Sequence, residues 1–212
     1  MIEKIVIILI SYLMGSIPFG LLLAKIIKGI DIREYGSGNI GTTNVSRIMG
    51  KKWGLIVFTL DSAKGLIPTL FSKIRYPQNY TLLLITGIAA ILGHIYSLFL
   101  NFKGGKGVAT AFGVMLVLLP IPTLITLGVF AITFLLTGYV SLSSIIAAVS
   151  LPILTLIFNL NTSIAAMVST LSCLVIYNHK ENIKRIVNKE ESKLFKGLIC
   201  QISFRPKINK KP

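Results

Sequence analysis

The chain has 212 residues, 53% of them hydrophobic, and a mean hydropathy of +0.79. That is too apolar for a soluble domain of this size, because the apolar runs lack the polar faces a helix in water needs. The net charge is +15, from 22 Lys and Arg against 7 Asp and Glu. It sits in loops and in the C-terminal tail, so it reads as cytoplasmic retention and contact with anionic membrane lipid, not as binding to nucleic acid.

In chain order, the first apolar run is Ile5–Ile27, interrupted by Gly15-Ser16-Ile17-Pro18. A crossing takes roughly 20 apolar residues. No small-residue cleavage site follows a short apolar stretch, so the run reads as a retained span and not as a leader. A polar connection comes next. It holds Gly36-Ser37-Gly38-Asn39-Ile40-Gly41-Thr42-Thr43-Asn44, with Arg33 before it and Arg47 after. Glycines let backbone N–H groups turn inward with no side chain in the way. Such nests bind anions, above all beside a helix N-terminus. Ser37, Thr43 and Asn44 can add side-chain donors, and Arg47 a fork for phosphate. A plain linker is the competing reading, but a linker does not require two asparagines and two threonines among glycines beside arginines.

Trp53–Phe71 is the second apolar run and carries Asp61 and Lys64 at i, i+3. Ionisable groups inside a span are costly and are paired or functional. A mutual salt bridge is the simplest account, and snorkelling of Lys64 toward a polar cavity is the other. Tyr80–Leu100 follows, with Gly93-His94 near its end, and then Lys103-Gly104-Gly105-Lys106-Gly107-Val108-Ala109-Thr110. The last segment is not a P-loop, because Gly107 stands where Ser or Thr is needed and Leu100 where the first Gly belongs. It is a glycine-rich basic turn leading into a helix, again a place for a phosphate. A lysine-anchored hairpin is the bland alternative.

Val108–Thr137, about 30 apolar residues with Pro120 and Pro122 in the middle, could be one long tilted span or two short ones. Each proline lacks an N–H and clashes with the preceding turn, so the run is expected to split, with Val108–Leu119 short for a full crossing. Tyr139–Phe158 and Ile164–Tyr177 complete the apolar runs. His179, Asn182 and Arg185 then share one helix face. An amphipathic helix on lipid headgroups fits that stretch equally well. Cys173 lies in an apolar run and Cys200 in the tail, so neither a metal site nor a disulfide is expected.

Sidedness decides the span count. Lys28, Arg33, Arg47, Lys51 and Lys52 load one connection, Lys103 and Lys106 a second, and the region after Asn178 is denser still. The positive-inside rule puts all three in the cytoplasm. Only the split of Val108–Thr137 allows this. The expected fold is therefore an all-α integral membrane protein of seven transmembrane helices, N-terminus outside and C-terminus cytoplasmic. Residues 1–190 form one catalytic domain. Residues 191–212 form a basic cytoplasmic tail, read as a surface helix followed by disorder.

Several chemistries are missing. No metal-binding His or Cys set is present, and no Gly-x-Ser-x-Gly elbow. A His-x4-Asp pair is absent too, since Phe99 follows His94 at that spacing and Lys184 follows His179. No covalent nucleophile is evident, which leaves positioning and electrostatic catalysis. No metal and no cofactor is expected.

These residues resemble the bacterial acyl-phosphate:glycerol-3-phosphate acyltransferase family of integral membrane enzymes. The resemblance runs from Gly15-Ser-Ile-Pro-Phe-Gly20 to Glu191 and includes Asp31-Ile-Arg33, Gly36 through Asn44, Asp61-x-x-Lys64-Gly65, Gly93-His94, Lys103 through Thr110, and His179-x-x-Asn182-Ile-x-Arg185. It implies a seven-helical enzyme of the bacterial inner membrane with its active site at the cytoplasmic face. The implied reaction moves an acyl group from acyl phosphate to the 1-hydroxyl of glycerol 3-phosphate, in phospholipid synthesis. Two departures stand out. Thr42 replaces a usual Ala, which is tolerable if its side chain points away from the site. Lys189 replaces a usual Gly ahead of Glu191.

On this reading Ser37, Lys106, His179 and Asn182 are the catalytic candidates. Gly38, Asn39, Gly41, Thr43 and Asn44 cradle the acyl-phosphate headgroup. Arg47 and Lys106, with Lys103, hold the glycerol 3-phosphate phosphate, and Gly104, Gly105, Gly107, Thr110, His94 and Arg185 complete the binding set. His94, His179 or the donor's own phosphate oxygen takes the hydroxyl proton, the last being what the resemblance favours. The enzyme is expected to act as a monomer. The rival class is a transporter of a phosphorylated or anionic small molecule, which would hold its site near the midplane rather than at one face.

Overall fold

The computed structural model describes residues 1–158 and 162–195, so Cys200 and most of the basic tail lie outside the described residues. Among the described residues all regular structure is helical. The helices are α1 Ile2–Ser16, α2 Phe19–Lys28, α3 Thr42–Met49, α4 Lys51–Arg75, α5 Tyr80–Ile95, α6 Val108–Leu118, α7 Pro120–Thr137, α8 Val140–Ile157, α9 Thr162–Tyr177 and α10 Lys180–Val187. Short 3-10 turns at Ile32–Glu34 and Leu98–Leu100 join them.

Among the described residues, four lengths are long and apolar enough to cross a bilayer: α4, α5 with the turn after it (Tyr80–Leu100), α7 and α8. Helices α1 and α2 together make a fifth, bent by 42°. Helices α6 and α9 are apolar but shorter. At about 1.5 Å per residue, the 11 residues of α6 rise only about 16 Å.

Both breaks follow from proline chemistry. Pro18 ends α1, and the carbonyls this frees are taken inside the protein. Ser97 Oγ donates to Ser16 O at 2.6 Å and Lys64 Nζ to Ile17 O at 2.8 Å. Backbone that is irregular at membrane depth is tolerated only when so satisfied. Pro120 occupies the first position of α7, where a missing N–H costs nothing. Lys73 Nζ caps the end of α6 through Val117 O at 2.9 Å.

Two close crossings hold the bundle. Helices α1 and α5 meet at Gly15 and Gly93, where an added Cβ would lie 2.1 Å from Ala90 O and 2.2 Å from Tyr12 O. Helices α4 and α6 meet at Gly65 and Gly113, where it would lie 2.3 Å from Thr110 O and 1.9 Å from Ser62 O. Apolar attraction does little between helices surrounded by lipid tails, so backbone approach through small residues supplies the packing. A second apolar cluster, including Ala24, Ile32, Val45 and Val57, pins the 30–50 connection and α3 onto α2 and α4. At the other end, Glu191 through Phe195 lie on the bundle. Leu194 N donates to Gly138 O at 2.9 Å, and the Phe195 ring meets Phe134 edge-on at 4.9 Å. The expected boundary at residue 191 falls inside this packed segment.

Candidate active site

A cavity of about 560 Å³ opens where three sequence-distant stretches converge. Its polar end carries Ser37, Thr43 and Arg47 from the first, Lys106 from the second, and His179 and Asn182 from the third. Its other end is apolar, running between α4, α6, α7, α8 and α9 past Phe58, Phe112, Phe130 and Val168.

The first stretch is a self-braced loop. Gly36 and Gly38 adopt φ of +62° and +69°, which reverses the chain toward α3. The Asn44 side chain closes the loop. Its Oδ1 accepts from Ser37 N at 2.9 Å, and its Nδ2 donates to Ile32 O at 3.1 Å and Tyr35 O at 2.9 Å. Asn39 Oδ1 accepts from Gly41 N at 2.8 Å, and Gly38 N bonds Tyr35 O at 3.1 Å. The nest expected from Gly36 to Asn44 therefore spends these amides, and the Asn44 donors, on its own shape. The donors left for a ligand are the N-terminal amides of α3 at Thr42 and Thr43, which have no intrahelical acceptor, and the hydroxyls that line the cavity. Thr42 is among the residues around the cavity. Its hydroxyl is buried with no hydrogen-bond partner. Arg47 lies one turn into α3, half-buried, and its Nη2 donates to Ser192 O at 2.7 Å.

The second and third stretches are joined by one hydrogen-bonded chain. Lys106 Nζ donates to Asn182 Oδ1, and Asn182 Nδ2 donates to Glu191 Oε1 at 2.8 Å. Ser141 Oγ reaches the same oxygen at 2.8 Å, and Arg185 Nε pairs with Oε2 at 2.7 Å. Burial pulls Lys106 down to about 8. Burial alone would raise Glu191, but the bonds from Arg185, Asn182 and Ser141 outweigh it and hold the carboxylate below its usual range. His179 Nδ1 sits 2.7 Å from Val175 O, which fixes the proton on Nδ1 and leaves the Nε2 lone pair free. Burial, with Lys106 close by, lowers His179 to about 4.

Not every expected residue reaches the cavity. Lys103 is exposed and Gly38 stands outside the lining. Thr110 is fully buried where α6 crosses α4 at Gly65, so it serves packing. Gly104 and Gly105 back the site: their amides donate to Ile95 O at 2.9 Å and His94 O at 3.0 Å. Arg185 is spent on Glu191. Lys64 pairs with Asp61 at 2.8 Å, as the simplest sequence account has it. Sequence reasoning left Glu191, Ser141 and Asp61 off the site. Glu191 had a signal, as an acidic residue inside a basic stretch. Ser141 had none, because only packing brings α8 beside α10.

The family model described as glycerol-3-phosphate acyltransferase matches residues 5–189. A glycerol-3-phosphate acyltransferase of Geotalea daltonii is 45% identical over 193 residues, covering 91% of this chain and 98% of that protein. One from Aquifex aeolicus is 42% identical over 189 residues, covering 89% and 98%. The crystal structure of PlsY, an integral membrane glycerol 3-phosphate acyltransferase, in its glycerol 3-phosphate form superposes with a TM-score of 0.87 at 39% identity, over 96% of this chain and 100% of that one. Its lysophosphatidic acid form gives 0.84 at 41% identity, over 90% and 95%.

Proposed function

This chain belongs to the glycerol-3-phosphate acyltransferase family, and from that premise we propose that it transfers an acyl group from acyl phosphate to the 1-hydroxyl of glycerol 3-phosphate, releasing phosphate. The observation that carries this reading is the shape of the cavity. Arg47 and Lys106 belong to the polar end of a chamber whose other end is apolar. That is the outline of an acylated glycerol phosphate. PlsY, the solved relative, is named in both a glycerol 3-phosphate and a lysophosphatidic acid form.

An acyl phosphate is a mixed anhydride, so its phosphate leaves readily. What the protein must supply is the gathering of two anions and stabilisation of the developing oxyanion. Arg47 and Lys106 hold the acceptor's phosphate, and Asn182 aims Lys106. Ser37, Thr43 and the first amides of α3 face the acyl-phosphate headgroup, with the Thr42 hydroxyl beside them. The acyl chain lies along the apolar lining. His179 presents Nε2 as an acceptor and orients the 1-hydroxyl. Burial lowers its pKa to about 4, and the proton goes, as the resemblance implies, to the donor's phosphate oxygen. If that is right, His179→Gln lowers kcat within about tenfold; a loss beyond about 100-fold would make His179 the base.

Seven spans, with α1–α2 counted once and α6 and α9 added to the long helices, bring the three basic stretches to the cytoplasmic face. The N-terminus is then outside, and the protein acts as a monomer in the bacterial inner membrane. The deciding experiment supplies purified protein with acyl phosphate and glycerol 3-phosphate, without acyl thioesters. Formation of 1-acylglycerol 3-phosphate and phosphate supports the proposal. Flux of glycerol 3-phosphate into proteoliposomes without product would favour a transporter.

A further inference from the structure

Beneath the Lys103–Gly107 turn lies a buried polar stack to which the steps above give no role, although its Asp61 and His94 also line the cavity. Lys64 and Asp61 of α4 and His94 of α5 have side chains only 2%, 3% and 5% exposed. Lys64 Nζ lies 2.8 Å from Asp61 Oδ1 and donates to Ile17 O, so it is anchored at the α1–α2 break. The same Asp61 oxygen faces His94 Nδ1 at 3.8 Å. The other ring nitrogen faces the turn. A Cβ built on Gly105 would stand 2.2 Å from His94 Nε2, and one on Gly104 would stand 2.0 Å from His94 O. The turn therefore rests on the ring and is tied to the same residue by the bond from Gly105 N. Lys106 is the next residue. His94 Nδ1 has no hydrogen-bond partner, and it is the backbone of Gly105 that lies against Nε2.

We propose that His94, packed beside the Asp61–Lys64 pair, is a positioning residue that sets the height of the Gly104–Gly105 turn and so the reach of Lys106 toward the acceptor's phosphate. The inference rests on the placement of that phosphate given above. The stack acts through the turn and does not touch the reacting atoms. It also gives the ionisable pair in α4 a purpose beyond mutual neutralisation, since α4 carries no other buried charge next to the site.

A steric cycle tests this in the intact, detergent-purified enzyme. His94→Ala is expected to raise the KM for glycerol 3-phosphate by about tenfold or more, with kcat within about threefold and the KM for acyl phosphate unmoved. Gly105→Ala, whose new methyl group meets the ring, raises the same KM. In the double variant the ring that clashes is gone, so its KM is expected to be no worse than that of His94→Ala alone. Multiplying effects would overturn the proposal, as would a fall in kcat with KM unchanged. The Asp61→Asn/Lys64→Met pair, which leaves no unpaired charge, should raise the same KM; an unchanged KM removes α4 from the device. Should His94→Ala fail to fold, His94→Ser runs the same cycle. Lys106→Met is measured alongside. If it leaves the glycerol 3-phosphate KM unchanged, the phosphate has been placed wrongly. Coupling between positions 94 and 105, read in whichever constant Lys106→Met does move, still decides the positioning role.

Discussion

At the scale of single residues, Lys106 carries the clearest functional prediction. Its ammonium is desolvated, and its pKa of about 8 lies far below that of an exposed lysine. The charge is present below that pH and lost as pH rises through it. The acceptor's phosphate is already doubly charged in that range, its second pKa being about 6. The KM for glycerol 3-phosphate should therefore be flat near pH 7 and climb above about pH 8. Lys106→Arg should remove the climb, because a guanidinium keeps its proton, and Lys106→Met should raise KM at every pH. Steady-state KM between pH 6.5 and 9.5 checks all three. Lys189 carries a prediction about stability. It sits at φ +62°, a conformation that costs an L-residue roughly 1–2 kcal/mol. The turn there lets Glu190 N and Glu191 N reach Arg185 O, which swings Glu191 back onto Asn182. Lys189→Gly should stabilise the protein by about 1 kcal/mol, seen as a higher unfolding temperature in detergent, with kcat little changed. The departure from the family's usual glycine thus leaves the third stretch in place and strains one residue.

At the scale of elements, the crossings do the positioning. Helix α6 reaches α4 closely enough only because Gly113 presents no side chain to Ser62 O. Gly113→Ala should cost roughly 1–3 kcal/mol or more, since backbone cannot give way as a flexible side chain can. Gly128 of α7 has nothing within 4 Å of an added Cβ, so Gly128→Ala should leave activity unchanged and raise the unfolding temperature slightly, alanine being the better helix former. Thermal unfolding of the two variants side by side separates a packing glycine from an idle one. The loss in Gly113→Ala should appear in activity too, because the same crossing sets α6, and with it the Lys106 turn that leads into α6, against α4.

At the scale of the whole molecule, topology is the open prediction. Single cysteines placed at Lys28, Lys52 and Lys103, in a Cys173→Ser/Cys200→Ser background, should react with a membrane-impermeant thiol reagent only from the cytoplasmic side. A cysteine at Gln78, between α4 and α5, should react only from outside. Labelling of Lys103 and Gln78 from one side would break the seven-span arrangement. Much of this protein was legible in its sequence. The apolar runs, the two proline breaks, the basic stretches and the Gly, His, Asn and Arg positions of the three motifs are local features, set by what a proline or a run of apolar residues does wherever it stands. The roles of individual polar groups were not. Asn44 is loop architecture, Thr110 is packing and Thr42 is among the residues around the cavity, because a side chain's use depends on which atoms surround it. Glu191 and Ser141 entered the site only when α8 and α10 met. The opening feature, basic glycine-rich stretches among apolar runs, was thus fixed by residue order. Which of their donors remain free for a ligand was decided by tertiary structure, since a hydrogen bond spent within a loop is no longer available to a substrate.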